Sequence, residues 1–88
     1  MAQSPAEHVV NGKVMDESGY ALPGAAVIVL GTNQGTVTDA DGNFSLAISN
    51  ATGSTVTIRT SFLGYQQVDN PVQAEPGSTS TLTINLRP

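Results

Sequence analysis

Residues Asp39-Ala40-Asp41-Gly42-Asn43 carry the densest set of metal-capable oxygens in the chain. Carboxylates at alternate positions ahead of a glycine resemble the opening of a calcium-binding loop. The pattern then fails. Gly42 stands fourth rather than sixth, and the twelfth position is Asn50 rather than a bidentate Glu. The same residues suit a tight hairpin turn, where Asp, Gly and Asn tolerate left-handed backbone and cap it locally.

Nucleophilic catalysis needs a base beside a hydroxyl. The sole histidine, His8, stands near the N-terminus and reads as a solvent-exposed residue at a strand edge. Two carboxylate pairs, Asp16/Glu17 and Asp39/Asp41, fall in exposed turns, where little shifts a carboxyl pKa. Arg59 is the one cation in the middle of an alternating run. It can anchor a partner's carboxylate or pair with an Asp on a neighbouring strand, and the second use is the commoner. Of the four aromatics, Phe44 and Phe62 read as core, Tyr20 and Tyr65 as rim. No cofactor site and no metal site emerge.

The chain's 88 residues bound one domain, and its stability rests on a compact core because there is no cysteine for a disulfide or thiolate metal site. Seven acidic residues against Lys13, Arg59 and Arg87 leave a net charge of −4. Nucleic-acid binding, which needs a basic stripe, and attraction to anionic lipid are both disfavoured. The longest apolar run, residues 25–30, is too short to cross a membrane as a helix. The opening MAQSPAEH lacks the basic and apolar regions of a signal peptide and suits a start Met set before the mature end of an exported protein. Residues 1–7 read as a flexible tail and 8–88 as a single domain.

Period-2 alternation places strands at 9–15, 43–48, 55–62 and 79–86. The run 25–30, apolar throughout, predicts a strand covered on both faces or lying at the centre of the sheets. Short strands are expected at 36–38 and, at an edge, 66–69. Residues 70–78 hold two prolines and a glycine and read as a loop crossing between sheets. Thr60 falls on an inner face, where it must hydrogen-bond or sit near the rim. Seven strands and no helix predict an all-β, antiparallel or mixed Greek-key sandwich.

The ordered series Leu22-Pro23-Gly24-Ala25, Gly31-Thr32, Gly35-Thr36, Thr38-Asp39, Asp41-Gly42 and Phe44-Ser45-Leu46, followed by Ser61-Phe62-Leu63-Gly64-Tyr65, is more specific. With the opening run Gly12-Lys13-Val14-Met15-Asp16-Glu17-Ser18-Gly19-Tyr20-Ala21, it resembles the carboxypeptidase-regulatory-like, transthyretin-like domain family. It is most similar to the version that precedes SusC/RagA-type TonB-dependent outer-membrane transporters, and the resemblance covers residues 9–86. Ala21 stands where the family often has Pro.

The resemblance implies a transthyretin-like sandwich without catalytic residues. It also implies a periplasmic accessory module, one part of a longer exported protein, that works by protein–protein contact or positioning during uptake. Partner contact is then expected at sheet edges and loops. Arg59, Gln66, Gln67 and Asp69 are the candidate residues, with the loops 33–35 and 50–54. An accessory domain beside a zinc carboxypeptidase and an extracellular adhesion or carbohydrate-binding module are the alternatives. The shortage of aromatics counts against the last.

Overall fold

The computed structural model describes residues 7–88. These form seven strands: β1 (Glu7–Asp16), β2 (Ala26–Val29), β3 (Gly35–Val37), β4 (Asn43–Ser49), β5 (Thr55–Ser61), β6 (Val68–Gln73) and β7 (Thr79–Leu86). They make two sheets, ordered β4-β1-β7 and β3-β2-β5-β6. All strand pairs are antiparallel except β1 with β7, which run parallel with Val9 opposite Thr79 and Asp16 opposite Leu86. The all-β mixed sandwich expected from the alternation is therefore what the chain forms.

Alternation sets the faces. On β4, Phe44, Leu46 and Ile48 are buried while their neighbours are exposed. β1 adds Val10 and Val14, and β7 adds Ile84 and Leu86. The second sheet answers with Val27, Val29, Ile58 and Val72. Each such side chain stabilises the fold by about 1.5–3 kcal/mol before chain entropy is charged.

Gly12 lies on the inward face of β1 between Val10 and Val14, opposite Phe44 on one side and Leu82 on the other. A Cβ there would stand 2.6 Å from the Leu82 carbonyl oxygen and 2.6 Å from the Phe44 ring. The Phe44 ring therefore occupies the space a side chain at position 12 would need.

Several expectations are corrected. Of the two readings of the run 25–30 the central one holds, since β2 is an inner strand of its sheet, but only one face is covered: Ala25 just before it, Val27 and Val29 are buried, while Ile28 is 39% exposed. Among the described residues no further layer packs over that side, so its apolar residues face outward. The turn at residues 39–43 is tight, with the Asp39 N–H donating to the Asn43 carbonyl at 2.9 Å, but it is no hairpin. It carries the chain from β3 in one sheet to β4 in the other. Gly42 takes φ +78° there, and a Cβ would meet the Val14 carbonyl at 2.7 Å.

The segment read as a crossing loop from residue 70 is largely strand, because β6 continues through Asn70, Pro71, Val72 and Gln73. The Ala74 N–H donates to the Ser54 carbonyl at 3.0 Å, so even-numbered residues of β6 turn their backbone toward β5 and odd-numbered ones turn outward. Pro71 has an outward-turned backbone on an edge strand, where its missing N–H breaks no ladder bond. The tail expected over residues 1–7 lies outside the described residues apart from Glu7, the first residue of β1.

Thr60 is fully buried on the inner face of β5, and its hydroxyl has no hydrogen-bond partner among the described residues. It neither pairs nor reaches the rim, contrary to expectation. An unpaired buried hydroxyl carries a desolvation penalty of about 1–3 kcal/mol. Thr60→Val keeps the shape and removes that penalty, so the variant is expected to be more stable by about 1 kcal/mol. A denaturant midpoint lower than that of the parent would show that the hydroxyl is satisfied in solution.

Candidate functional site

Arg59 and Asp69 face one another across β5 and β6. The Arg59 Nε donates to Asp69 Oδ1 at 2.8 Å and Nη2 to Oδ2 at 2.9 Å, a bidentate pair on the outer face. The hydrogen bonds from the guanidinium hold the Asp69 carboxyl below its ordinary value of 3.8, and the carboxylate raises Arg59 in turn. The pairing with a neighbouring strand's Asp is thus the arrangement present.

The folded-state pKa of Asp69 is depressed, so the pair's stabilising contribution is present above the ordinary carboxyl pKa. It is lost as the pH falls through the lowered value. An NMR titration of the Asp69 carboxyl is expected to give a midpoint below 3.8, and Arg59→Gln should return it toward that value. A midpoint unmoved by the substitution would mean the pair does not persist in solution.

The other candidate contact residues do not gather with this pair into a pocket. Gln66 and Gln67 precede β6 rather than belonging to it, and the Gln66 N–H is tied to the Arg87 carbonyl at 2.7 Å. The side chain of Gln34, in the loop at 33–35, accepts from the Ser49 N–H at 2.7 Å and so ties that loop to the end of β4. A shallow depression of about 450 Å³ is lined by Gly24, Ala26, Ser61, Phe62 and Leu63. Leu63 projects beside it, 95% exposed, and Phe62 stacks at a tilt on Tyr65, ring centres 5.7 Å apart. No titratable group lines the depression.

The carboxylates of the turns are engaged locally. Asp39 Oδ1 accepts from the Asp41 and Asn43 N–H groups, and Asp16 Oδ1 from those of Ser18 and Tyr20, all at 2.9 Å. Among the described residues no group of three or more potential ligands gathers to hold a metal ion.

His8 overturns its reading as an exposed edge residue. It lies within β1 and is 2% exposed. Nδ1 lies 2.8 Å from the Glu75 carbonyl, which can only accept, so Nδ1 carries the proton and donates. Nε2 lies 2.7 Å from the Ser80 hydroxyl and accepts from it when the ring is neutral. The signal was parity: position 8 shares the inward face of Val10 and Val14, once the strand is allowed to begin before Val9. A histidine–serine contact is also half of a nucleophile–base pair. Here the ring is sealed in the interior and oriented by a carbonyl, and the depression lies on the other sheet. The contact fastens the start of β1 to the 75–80 segment.

Two sheets closed over one core, with polar groups spent on turns, a cross-strand pair and an internal fastening, define a small β-sandwich module. Its family follows from comparison. The chain belongs to the CarboxypepD_reg-like domain family, whose model matches residues 10–88.

It is 44% identical over 66 residues to the TonB-dependent receptor SusC of Bacteroides thetaiotaomicron, covering 75% of this chain and 6% of that protein. It is 35% identical over 82 residues to a TonB-dependent receptor of Formosa agariphila, covering 93% of this chain and 8% of that protein. The chain thus spans less than a tenth of the length of these curated relatives. Among solved structures, a chlorocatechol 1,2-dioxygenase from Pseudomonas putida superposes with a TM-score of 0.74 at 11% identity, covering 99% of this chain and 62% of that one. A type II cohesin–X-dockerin complex from Acetivibrio cellulolyticus gives 0.69 at 20% identity, covering 90% and 56%. At such identities these likenesses concern the fold alone.

Proposed function

We propose that the chain is a non-catalytic, periplasmic accessory domain of a SusC-like TonB-dependent outer-membrane transporter, acting through protein contact or positioning during uptake. The observation that carries the proposal is the 44% identity to SusC over three quarters of the chain, within a family match spanning residues 10–88. The site geometry supports a contact role: the functional groups on the described surface are edges, loops and one ion pair, and the sole imidazole is locked inside.

Deleting the domain from a full-length transporter that carries it is expected to lower uptake or assembly while the barrel still folds. Uptake and abundance both unchanged would sink the proposal. The non-catalytic part has its own check: the purified domain should not react with a serine-directed phosphonate probe, and labelling of Ser80 would overturn it.

A further inference from the structure

A sandwich of two open sheets has four edge strands, here β4, β7, β3 and β6. Each edge turns alternate backbone N–H and C=O groups outward, and an extended chain can pair with them. Three of the four are short or blunted. β3 is only three residues long and turns out Gly35 and Val37. On β4 the outward residues are Asn43, Ser45, Ala47 and Ser49. The Asn43 and Ser49 N–H groups are already taken, by the Asp39 carboxylate at 2.9 Å and the Gln34 side chain at 2.7 Å. On β6 the outward row is Asp69, Pro71 and Gln73, with no N–H at its centre.

β7 is different. The Val9 N–H donates to the Ser78 carbonyl at 3.1 Å, which fixes the parity of the parallel ladder. Even-numbered residues of β7 pair with β1, and Thr79, Thr81, Thr83 and Asn85 turn their backbones outward. Among the described residues none of these four backbones makes a hydrogen bond outside the ladder, and all four residues are exposed. The strand has eight residues without proline or charge, the devices that ordinarily protect an edge. Its outward side chains are mostly β-branched, which suits strand addition.

Charge decides the occupant. At the Thr79 end the Gly77 N–H donates to the Glu7 carbonyl, so the exposed Glu7 stands beside the edge, while the Glu75 carboxylate is turned toward Gly53 and the Gln73 amide. At the other end Asp16 pairs with Leu86 and Glu17 follows, with Arg87 as the single nearby cation. Lys13, opposite Thr83, stands beside the middle. Antiparallel pairing of two copies would join two domains that each carry a net charge of −4, which like-charge repulsion opposes. A foreign strand with a neutral, β-branched centre and cationic ends meets no such penalty.

We propose that the open edge of β7 receives an extended segment of another polypeptide as an added strand, one neutral and β-branched at its centre with Lys or Arg at its ends. This deepens the contact role proposed above and rests on it for its biological meaning, but the binding itself is testable on the domain alone.

The probe is the acetylated, amidated peptide Lys-Thr-Val-Thr-Val-Thr-Lys, titrated into the ¹⁵N-labelled 88-residue chain. Saturable shifts below about 1 mM peptide are expected at the amides of Thr79, Thr81, Thr83 and Asn85, with their hydrogen exchange slowed at least about tenfold. Replacing both peptide lysines by Gln should weaken binding by about three- to tenfold at low salt, and high salt should erase the difference. Methylating the peptide's alternate backbone nitrogens should abolish binding, a control that leaves the protein untouched. Thr83→Pro removes one outward N–H, as Pro71 does on β6, and should cost at least about tenfold in affinity with the fold retained.

No shift on β7 up to millimolar peptide overturns the inference, as do equal shifts on the β6 edge. So do β7 shifts that grow with protein concentration alone, which would assign the edge to a second copy. Peptide binding together with unimpaired uptake after domain deletion would leave the edge site standing and remove the accessory role. Impaired uptake without peptide binding would do the reverse.

Discussion

Gly12→Val is expected to remove about 3 kcal/mol of stability, a large part of the roughly 5–15 kcal/mol typical of a folded domain. The ground is geometric. The Cβ alone would lie 2.6 Å from the Leu82 carbonyl oxygen, a backbone atom held by the β1–β7 ladder, and 2.6 Å from the Phe44 ring. A flexible neighbour could yield, but a ladder carbonyl cannot without breaking its strand register. Gly12→Ala should cost about 2–3 kcal/mol for the same reason. Shrinking Phe44 to Leu in the Gly12→Ala background should recover only the ring's share, leaving the conflict with the carbonyl. Equilibrium urea unfolding reads these differences. A loss under about 0.5 kcal/mol for Gly12→Val would show that β1 is not packed this closely in solution.

His8→Ala is expected to cost about 2–4 kcal/mol. The ring is 2% exposed, so its removal leaves a cavity. It also strips partners from the Glu75 carbonyl and the Ser80 hydroxyl. His8→Gln should recover part of the loss, since an amide can donate to one partner and accept from the other. Amide exchange should quicken first at the start of β1 and in the 75–80 segment. If His8→Ala unfolds at the same denaturant concentration as the parent, the fastening contributes nothing to stability.

These two residues also mark the limits of legibility. Strand number, the alternating faces of β4 and β7 and the all-β class follow from period-2 patterning, and the structure carries them unchanged. Gly12 was visible only as part of a motif. Glycines announce themselves as turn residues, and nothing in a linear pattern tells that a ring from a neighbouring strand will lie over one in mid-strand. His8 was misplaced because a polar residue next to a terminus looks solvated, and its partners lie 67 and 72 residues away.

Pro71 misled in the opposite direction. Proline argues against strand only where its N–H is needed, and that depends on which neighbour each backbone faces. The Asp-Gly turn likewise specified a reversal but not that its two arms enter different sheets. The Arg59 pair was legible as an option, because an outward Arg in mid-strand needs a counter-ion within reach, but its register with Asp69 required the sheet order. The open edge of β7 could not be read at all, since openness is a property of what fails to pair.

The parallel register of the first and last strands has a mechanical meaning. Val9 lies opposite Thr79 and Asp16 opposite Leu86, so the chain enters β1 at one pole of the sandwich and leaves β7 at the other. A pull on the two ends in opposite directions slides these strands past one another. The load falls on the whole β1–β7 ladder at once, in shear, instead of opening it bond by bond like a zipper. Resistance to such a pull is governed by the barrier to unfolding rather than by equilibrium stability. A domain wired this way resists being pulled open from its ends, and the Phe44 ring over Gly12 and the His8 fastening bear on the strand that takes the force.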